Sequence, residues 1–419
     1  MTVAAILAIA VTGFALAARR LARFSIGPAL FFVALGMVAT IGWTGSIPEV
    51  DAEFLLQVVE ITLALILFTD ASSIDIAALR REAGLVARLL SIGLLLSIAL
   101  GTLVAGLLFP DLPIGVLLLI GAAVAPTDAA LGQPVVTDLR VPSRIRRLLN
   151  AESGLNDGIA TPFVVLAIAL ISAEGTGHGD WVTAALRQAL VGTIAGIVLG
   201  LLGGTLLIVA DRRGWASEGS RQLVVLALAM AAYFSAIALG GNGFIAAFVG
   251  GLAFGAASRH AEQGAEVFAE AAGSMLSILV WIVAGAAFVR FLSEAPDLRP
   301  LAYAIVSLTV VRMLPVALAL VGTGLRRDTV AFIGWFGPRG LATIVFAILG
   351  LEAMHDSSIP TELVGATFAW TVLLSVVLHG LSAAPLAAWY GRRIDRREPG
   401  IPELADGPGD LEAVATSAR

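Results

Sequence analysis

The chain alternates between long apolar stretches and short polar loops. A helix needs about 20 mostly apolar residues to cross the hydrocarbon core of a bilayer, and thirteen stretches approach or exceed this length. The pattern therefore predicts an all-α polytopic membrane protein with about thirteen transmembrane helices. The predicted helices cover residues 2–18, 25–43, 53–71, 86–108, 113–132, 149–173, 181–210, 222–239, 243–257, 267–291, 300–322, 329–353 and 361–389.

The arginines lie mainly on one side of these predicted helices. The loops after the odd-numbered helices carry almost all of them, whereas the opposite side holds little beyond Arg187 and Arg299. Because cytoplasmic loops are enriched in arginine and lysine, we expect the N-terminus outside and the C-terminus inside. We call the enriched side the arginine-rich face. It carries Arg19, Arg20, Arg23, Arg80, Arg81, Arg88, Arg140, Arg144, Arg146, Arg147, Arg212, Arg213, Arg221, Arg259, Arg326, Arg327, Arg392, Arg393, Arg396 and Arg397.

Composition excludes an ordinary soluble domain. Of the 419 residues, 58% are hydrophobic and 14% are charged, and the mean hydropathy is +0.94, far from the soluble average. The absence of cysteine excludes a disulfide framework, a thiolate metal site and a thiol nucleophile. We expect residues 1–390 to form one transmembrane domain in the lipid bilayer. The acidic, Pro- and Gly-rich residues 391–419 are predicted to form a disordered cytoplasmic tail.

Polar side chains concentrate in one part of this apolar chain. Three carboxylates, Asp128, Glu152 and Asp157, and the amide of Asn156 lie within residues 121–162. A charged side chain at the bilayer centre costs about 2.5 to 3.5 kcal/mol even on the lenient insertion scale. Charged residues within a membrane helix are interpreted as functional by default. For the two aspartates the alternative is a structural role, either as a polar packing pair or as a cap at a helix break.

Two interruptions divide predicted helices that are otherwise apolar. One is Pro126, and the other is the sequence Gly-Trp-Phe-Gly-Pro-Arg-Gly at residues 334–340. Proline removes a backbone donor, and such breaks are tolerated in a membrane where the freed carbonyls face a cavity or an ion. Broken helices at comparable places in two halves of a chain indicate a transporter site near the bilayer midplane, built on inverted repeats.

The arginine in the second interruption needs a negative partner. A guanidinium cannot escape the cost of burial by deprotonating. At about 100° per residue, Glu152 points about 140° away from Asp157 around its helix. We therefore expect Glu152 to meet a different neighbour, and we predict that it pairs with Arg339.

The remaining polar groups form a second set. Ser153, Asn156 and Asp157 are spaced at i, i+3 and i+4 and share one helical face, while Thr127 and Asp128 follow Pro126 directly. Their oxygens suit a hard monovalent cation, and burial of a carboxylate also favours its protonated form. A cation and a proton would then compete for the same oxygens. Exchange of one for the other follows if the site opens alternately to each side.

Three motifs resemble those of a known family, in the same order. Ala125-Pro-Thr-Asp128 resembles its Pro-Thr-Asp motif, Glu152-Ser-Gly-Leu-Asn-Asp157 its Glu-Ser-x-x-Asn-Asp motif, and Gly337-Pro-Arg-Gly340 the Gly-Pro-Arg-Gly of its second broken helix. The chain thus resembles the monovalent cation:proton antiporters of the sodium/proton exchanger class, in the NhaP-like electroneutral branch. The resemblance extends over essentially all thirteen predicted helices.

This resemblance implies roles for the polar residues. Asp157 would be the principal carrier of the cation and the proton, and Asn156 would occupy the place of a second aspartate in electrogenic relatives. Glu152 and Arg339 would form the family's structural ion pair. The transported Na⁺ would be bound at Asp128 and Asp157, with help from Thr127 and Ser153.

The resemblance also implies an architecture and partners. Two crossing broken helices would lie in a moving core of predicted helices 4–6 and 11–13, beside a dimerisation domain, in a homodimer. The partners would be protons and a monovalent cation, Na⁺ or else Li⁺ or K⁺, with no resident cofactor. The location would be the inner (plasma) membrane. Neither a nucleotide nor a nucleic acid is expected as a partner, because no soluble nucleotide-binding domain is recognisable.

Further candidates and alternatives stay open. Asp70 would line the entry path, Arg312 would serve a carbonyl at a broken helix, and His379 would pack within the last predicted helix. A K⁺-selective antiporter is one alternative. A passive cation channel is another, disfavoured because no repeated pore-loop filter is present. An enzyme is not expected, since Ser153 has no obvious histidine partner.

Predicted helix seven carries a periodic stripe of small residues. Glycines recur at every fourth position and so lie along one face of the helix. Such stripes let membrane helices approach closely. The glycines are Gly192, Gly196, Gly200 and Gly204.

Overall fold

The computed structural model describes residues 2–22, 24–42, 52–74, 76–176, 181–258, 267–294, 297–355, 357–395 and 402–404, which are helices and short connections without a strand. The α-helices, α1 to α17 in order, are Thr2–Ala22, Pro28–Gly42, Ala52–Ser72, Ile76–Arg88, Leu94–Leu108, Ile114–Ala123, Ala129–Val136, Ser143–Thr176, Trp181–Arg212, Glu218–Ala238, Gly243–Ser258, Val267–Glu294, Arg299–Val306, Arg312–Ala319, Arg327–Trp335, Leu341–Ala353 and Thr361–Asp395. Two π-helical segments, Leu89–Gly93 and Ser307–Val311, join α4 to α5 and α13 to α14.

The thirteen predicted transmembrane helices are confirmed. Within the described ranges, nine helical stretches are long and apolar enough to cross a membrane, and four shorter apolar helices accompany them. Each predicted stretch overlaps one of these thirteen. The chain is therefore an all-α, multi-pass membrane protein. Two of the shorter helices, α6 and α16, are halves of the broken membrane crossings that they form with α7 and α15.

The structure contains the predicted inverted repeats. The first repeat runs from α4 through a π-helical segment, the broken pair α6 and α7, and the 34-residue α8. The second runs from α13 through a π-helical segment, the broken pair α15 and α16, and the 35-residue α17. The two repeats start seven membrane crossings apart, so their first helices run in opposite directions. Together they form the core, whose buried side chains make one continuous apolar cluster with neighbouring helices.

The remaining helices form a panel beside the core, in which glycines set the spacing. The stripe on α9 packs against α11: a Cβ on Gly196 would lie 2.6 Å from the carbonyl oxygen of Ala246, and one on Gly204 would lie 2.7 Å from the Cβ of Ala257. The close helix approach predicted from this stripe is confirmed. Helices α2 and α12 also approach closely, since a Cβ on Gly285 would collide with the carbonyl oxygen of Val33.

Helix α3 lies at the border between the panel and the core. It packs on α11 and α12 of the panel and also contacts α8 and α16 of the core. Helix α8 reaches α11 as well, because Gly158 of α8 leaves room for the ring of Phe248. This border therefore passes beside the polar part of α8.

Part of the predicted disordered tail is ordered. Helix α17 continues to Asp395, and Pro402–Leu404 form a single 3-10 turn. Glu403 in that turn is fully buried, so the expectation of a disordered tail from residue 391 is wrong for these two pieces. Residues 396–401 and 405–419 lie outside the described residues, and there disorder stays a prediction.

We expect Gly200→Val to lower the melting temperature of the purified protein. Its side chain would meet the backbone of α11, where a Cβ already comes within 3.0 Å of the Phe254 nitrogen. Overpacking of this kind costs about 1 to 3 kcal/mol. The control is Gly13→Val in α1, where a Cβ meets nothing within 4 Å. Thermal unfolding in detergent measures both, and equal shifts would contradict the packing described.

Candidate functional site

The two helix breaks cross and are joined through their backbones. Residues 124–128 separate α6 from α7, and residues 336–340 separate α15 from α16. The backbone N–H of Asp128 donates to the carbonyl oxygen of Pro338 at 2.8 Å. Gly340 makes this approach possible, because a Cβ there would collide with the Asp128 carboxylate.

The Asp128 carboxylate binds the N-termini of two helices. Its Oδ1 accepts the N–H of Leu131 at 2.9 Å, in the first turn of α7. Its Oδ2 accepts the N–H of Leu341 at 2.8 Å, the first residue of α16. A helix N-terminus has unpaired N–H groups and a positive partial charge. Asp128 therefore caps both half-helices, which is the alternative role that its position beside a break suggested.

Arg339 binds the carbonyl groups at the opposite end of the first break. Its Nη1 donates to the carbonyl oxygens of Ala125 at 2.6 Å and Pro126 at 3.0 Å, just beyond the C-terminus of α6. The side chain is 0% exposed. The break left these carbonyls without helical partners, and a cation near a helix C-terminus is favourable.

The predicted ion pair between Glu152 and Arg339 is wrong. Glu152 instead binds Arg312 through two hydrogen bonds, Nη1 to Oε1 at 2.6 Å and Nη2 to Oε2 at 3.0 Å. Both side chains are 4% exposed. Arg312 follows the π-helical segment of the second repeat and lies against Gly337, where a Cβ would collide with its Nε. The two arginines thus exchange the roles expected of them: Arg312 pairs with the carboxylate and Arg339 serves carbonyls.

His379 serves the C-terminal end of the second break. Its Nε2 lies 2.9 Å from the carbonyl oxygen of Trp335, the last residue of α15. This carbonyl oxygen can only accept, so Nε2 donates to it in the tautomer that carries the proton on Nε2. The other ring nitrogen, Nδ1, lies 2.9 Å from the carbonyl oxygen of Ser375 and 3.2 Å from its Oγ, and that Oγ accepts the backbone N–H of Arg339. This role could not be predicted from the sequence, because α17 is remote from residue 335 along the chain.

The other predicted site residues come together beside the crossing. The Oγ1 of Thr127 lies 2.9 Å from the Oγ of Ser153 and accepts from the Nδ2 of Asn156 at 2.6 Å. Asp157 follows on the same helix and is 9% exposed. Among the described residues, neither the Oδ1 of Asn156 nor the Oδ1 of Asp157 accepts a hydrogen bond. Buried oxygens without a donor are uncommon in proteins.

Further carboxylates lie towards the border helix α3. Asp70 near the end of α3 interacts electrostatically with Asp128, Asp157 and Glu270. The sequence pattern gave no signal for Glu270, which lies in the first turn of α12. Asp157 thus interacts electrostatically with two other acids, Asp128 and Asp70. This arrangement attracts cations.

A double-mutant cycle tests the exchanged arginine roles. Removing one partner of a buried ion pair costs about 3 to 5 kcal/mol, because the other charge stays buried. We expect Glu152→Gln and Arg312→Met each to lower the melting temperature strongly, and the double variant to be more stable than their sum predicts. Glu152→Gln with Arg339→Met is the matched cycle and should show weaker coupling, because these two charges interact electrostatically but the two hydrogen bonds of Glu152 go to Arg312. Coupling of Glu152 to Arg339 alone would contradict the pairing described.

The chain is similar in sequence to known transport proteins. Over 331 residues, the chain is 27% identical to Na(+)/H(+) antiporter 2 of Zygosaccharomyces rouxii, covering 70% of this chain and 40% of that protein. It is 27% identical over 370 residues to the K(+)/H(+) antiporter NhaP2 of Shewanella sp. strain MR-4, covering 87% and 63%. The chain therefore spans less than two thirds of the length of these two relatives.

A solved structure shares the fold. The sodium proton antiporter MjNhaP1 from Methanocaldococcus jannaschii matches with a TM-score of 0.74 at 21% identity, over 93% of this chain and 98% of that one. A family model described as "Sodium/hydrogen exchanger, transmembrane" matches residues 5–389. With its crossing breaks and buried carboxylates, the chain belongs to the sodium/hydrogen exchanger family of transmembrane proteins.

Proposed function

We propose that the chain is a secondary antiporter that exchanges a monovalent cation for H⁺ by alternating access. The observation that carries the proposal is the buried Asp157 carboxylate, whose Oδ1 accepts no hydrogen bond among the described residues. The Oδ1 of Asn156 also accepts no hydrogen bond among the described residues. The hydroxyls of Thr127 and Ser153, which are hydrogen-bonded to each other, complete the proposed group of oxygen ligands. Na⁺ is the cation we place first, with Li⁺ and K⁺ as further candidates.

Asp157 and Asp128 would contribute differently to cation binding. Asp157 has an oxygen free to receive either a cation or a proton, so it is the proposed exchange group. Asp128 uses both oxygens to hold helix N-termini. A carboxylate has about four acceptor sites, so Asp128 keeps capacity to bind the cation while it holds the crossing. Its negative charge also favours a cation nearby.

Alternating access would come from movement of the core against the panel. Asp157 lies on α8, next to the border where α8 meets α3 and α11. Movement along this border would expose Asp157 first to one side and then to the other. Asp70 and Glu270 would line the approach from the arginine-rich face, which we propose to be cytoplasmic on the basis of its charge.

We propose that the exchange is electroneutral. Asn156 stands beside Asp157 and donates its amide to Thr127, so the site holds one exchanging carboxylate rather than two. One carboxylate binds one monovalent cation or one proton, and the charge carried is equal in both directions.

The setting of the protein is also part of the proposal. We place it in the inner (plasma) membrane, as a homodimer, with no nucleotide, nucleic acid or resident cofactor. The support is the family resemblance and the arginine distribution. A K⁺-selective antiporter remains the second candidate, because the relatives include proteins named for each cation.

Proteoliposomes containing a pH-sensitive dye test the exchange. We expect Na⁺ addition to drive proton flux, and Asp157→Asn to reduce the flux to that of empty vesicles, because an amide cannot carry the proton. Glu362→Gln, at an exposed position in α17, is the matched control and should keep full activity. Supplying Na⁺, Li⁺ and K⁺ in turn distinguishes the K⁺-selective alternative. Flux undiminished in Asp157→Asn would defeat the proposal, and cation conductance without proton movement would indicate a channel.

An imposed membrane potential tests electroneutrality. We expect the initial rate of Na⁺-driven proton flux to stay the same when a potential of either sign is set with a K⁺ gradient and valinomycin. The physical reason is that no net charge crosses the membrane in a cycle. A potential-sensitive dye verifies that the potential is present. A rate that rises with one sign and falls with the other would show electrogenic exchange.

A further inference from the structure

A short tail segment is inserted into the arginine-rich face of the core. Pro402–Leu404 form one 3-10 turn, and the side chain of Glu403 within it is 0% exposed. Carboxylates are almost never fully buried unless they are paired. The surrounding tail is acidic and rich in proline and glycine, so the burial of this one acidic residue calls for specific partners.

Glu403 completes the N-terminus of helix α15. Its Oε1 accepts the backbone N–H of Arg326 at 2.9 Å and the hydroxyl of Thr329 at 2.8 Å. Thr329 in turn lies 3.0 Å from the hydroxyl of Tyr390 on α17. Arg326 is the N-cap residue of α15 and provides no side-chain cap of its own. The acidic charge favoured at a helix N-terminus thus comes in part from the tail.

The neighbouring proline binds the first repeat. The carbonyl oxygen of Pro402 accepts from the Nη1 of Arg144 at 2.5 Å. Arg144, in the first turn of α8, is itself held by Glu82 of α4, with Nε to Oε2 at 2.8 Å. Proline has no N–H to satisfy, so burying its backbone on this surface leaves no donor unpaired. Two adjacent tail residues therefore contact one repeat each.

We propose that the arginine-rich ends of α8, α15 and α17 form a socket for an acidic peptide, occupied by this chain's own Pro402–Leu404, which clamps the two repeats together. The recognition elements are one carbonyl for Arg144 and one carboxylate for the α15 N-terminus. Leu404 is 47% exposed and contributes little to the binding of the segment. This binding site lies apart from Asp157 and goes beyond the proposed exchange function.

Melting temperatures of full-length variants test the clamp. Glu403→Ala removes the acceptor of two buried donors, and we expect a melting temperature lower by about 2 to 4 °C, because those donors lose their partner. Glu403→Gln keeps one acceptor oxygen and loses the charge, so its shift should be smaller. Leu404→Ala, at the exposed end of the same turn, is the matched control and should show a much smaller shift. Equal shifts for Glu403→Ala and Leu404→Ala would overturn the clamp.

Two truncations and a peptide test the socket directly. A chain ending at Gly400 lacks the segment, and a chain ending at Leu404 retains it, so only the first should melt at a lower temperature. A labelled peptide of residues 399–408 should bind the chain ending at Gly400 and raise its melting temperature. The same peptide should not bind the chain ending at Leu404, whose socket is filled. Binding to both chains alike, or to neither, would overturn the proposal.

A variant peptide tests the recognition chemistry. Replacing the glutamate by alanine should weaken binding at least tenfold, or about 1.4 kcal/mol, since hydrogen bonds to a charged group are stronger than those between neutral groups. Equal binding of the two peptides would mean that the socket does not recognise the carboxylate, and would overturn the assignment. None of these measurements uses transport, so their failure is distinguishable from failure of the exchange function.

Discussion

The architecture of the core depends on one carboxylate that binds the N-termini of two interrupted helices. In a bilayer, each backbone group without a partner costs several kcal/mol, so a broken helix persists only where its ends are satisfied. Asp128 serves the N-terminal ends of α7 and α16. Arg339 serves the carbonyls beyond α6, and His379 serves the carbonyl end of α15. All four half-helix ends at the crossing therefore have partners.

This arrangement separates structural charges from exchangeable ones. Glu152 is neutralised by Arg312 through two hydrogen bonds, and the charge of Asp128 is balanced by the helix N-termini it caps. Asp157 lies close to them without an arginine partner, and one of its oxygens accepts no hydrogen bond within the described part of the chain. Binding of either a cation or a proton stabilises a buried carboxylate that has an oxygen without a hydrogen bond. The crossing beside Asp157 holds the hydroxyl and amide oxygens of the proposed site in place.

Periodicity and residue type predicted much of this from the sequence. The thirteen helices follow from apolar length, the breaks from Pro126 and the second glycine- and proline-rich interruption, and the shared face of Ser153 and Asp157 from helical spacing. The choice of partner for Glu152 could not be predicted, because either arginine was chemically suitable. In the structure Arg312 reaches Glu152, and Arg339 binds the carbonyl oxygens of the first break instead. The docking of Glu403 could not be predicted from the sequence. The composition of the tail indicates its average tendency to be disordered, and it does not indicate which contacts a single residue makes.

The central claim is that cation and proton compete for the oxygens of Asp157. The most direct test is the apparent KM for Na⁺ in proteoliposomes, measured at a series of equal internal and external pH values. Competition predicts that the apparent KM rises as pH falls, by up to about tenfold per pH unit by mass action, while the rate at saturating Na⁺ stays constant. An apparent KM that is independent of pH, with a falling maximal rate, would contradict the account.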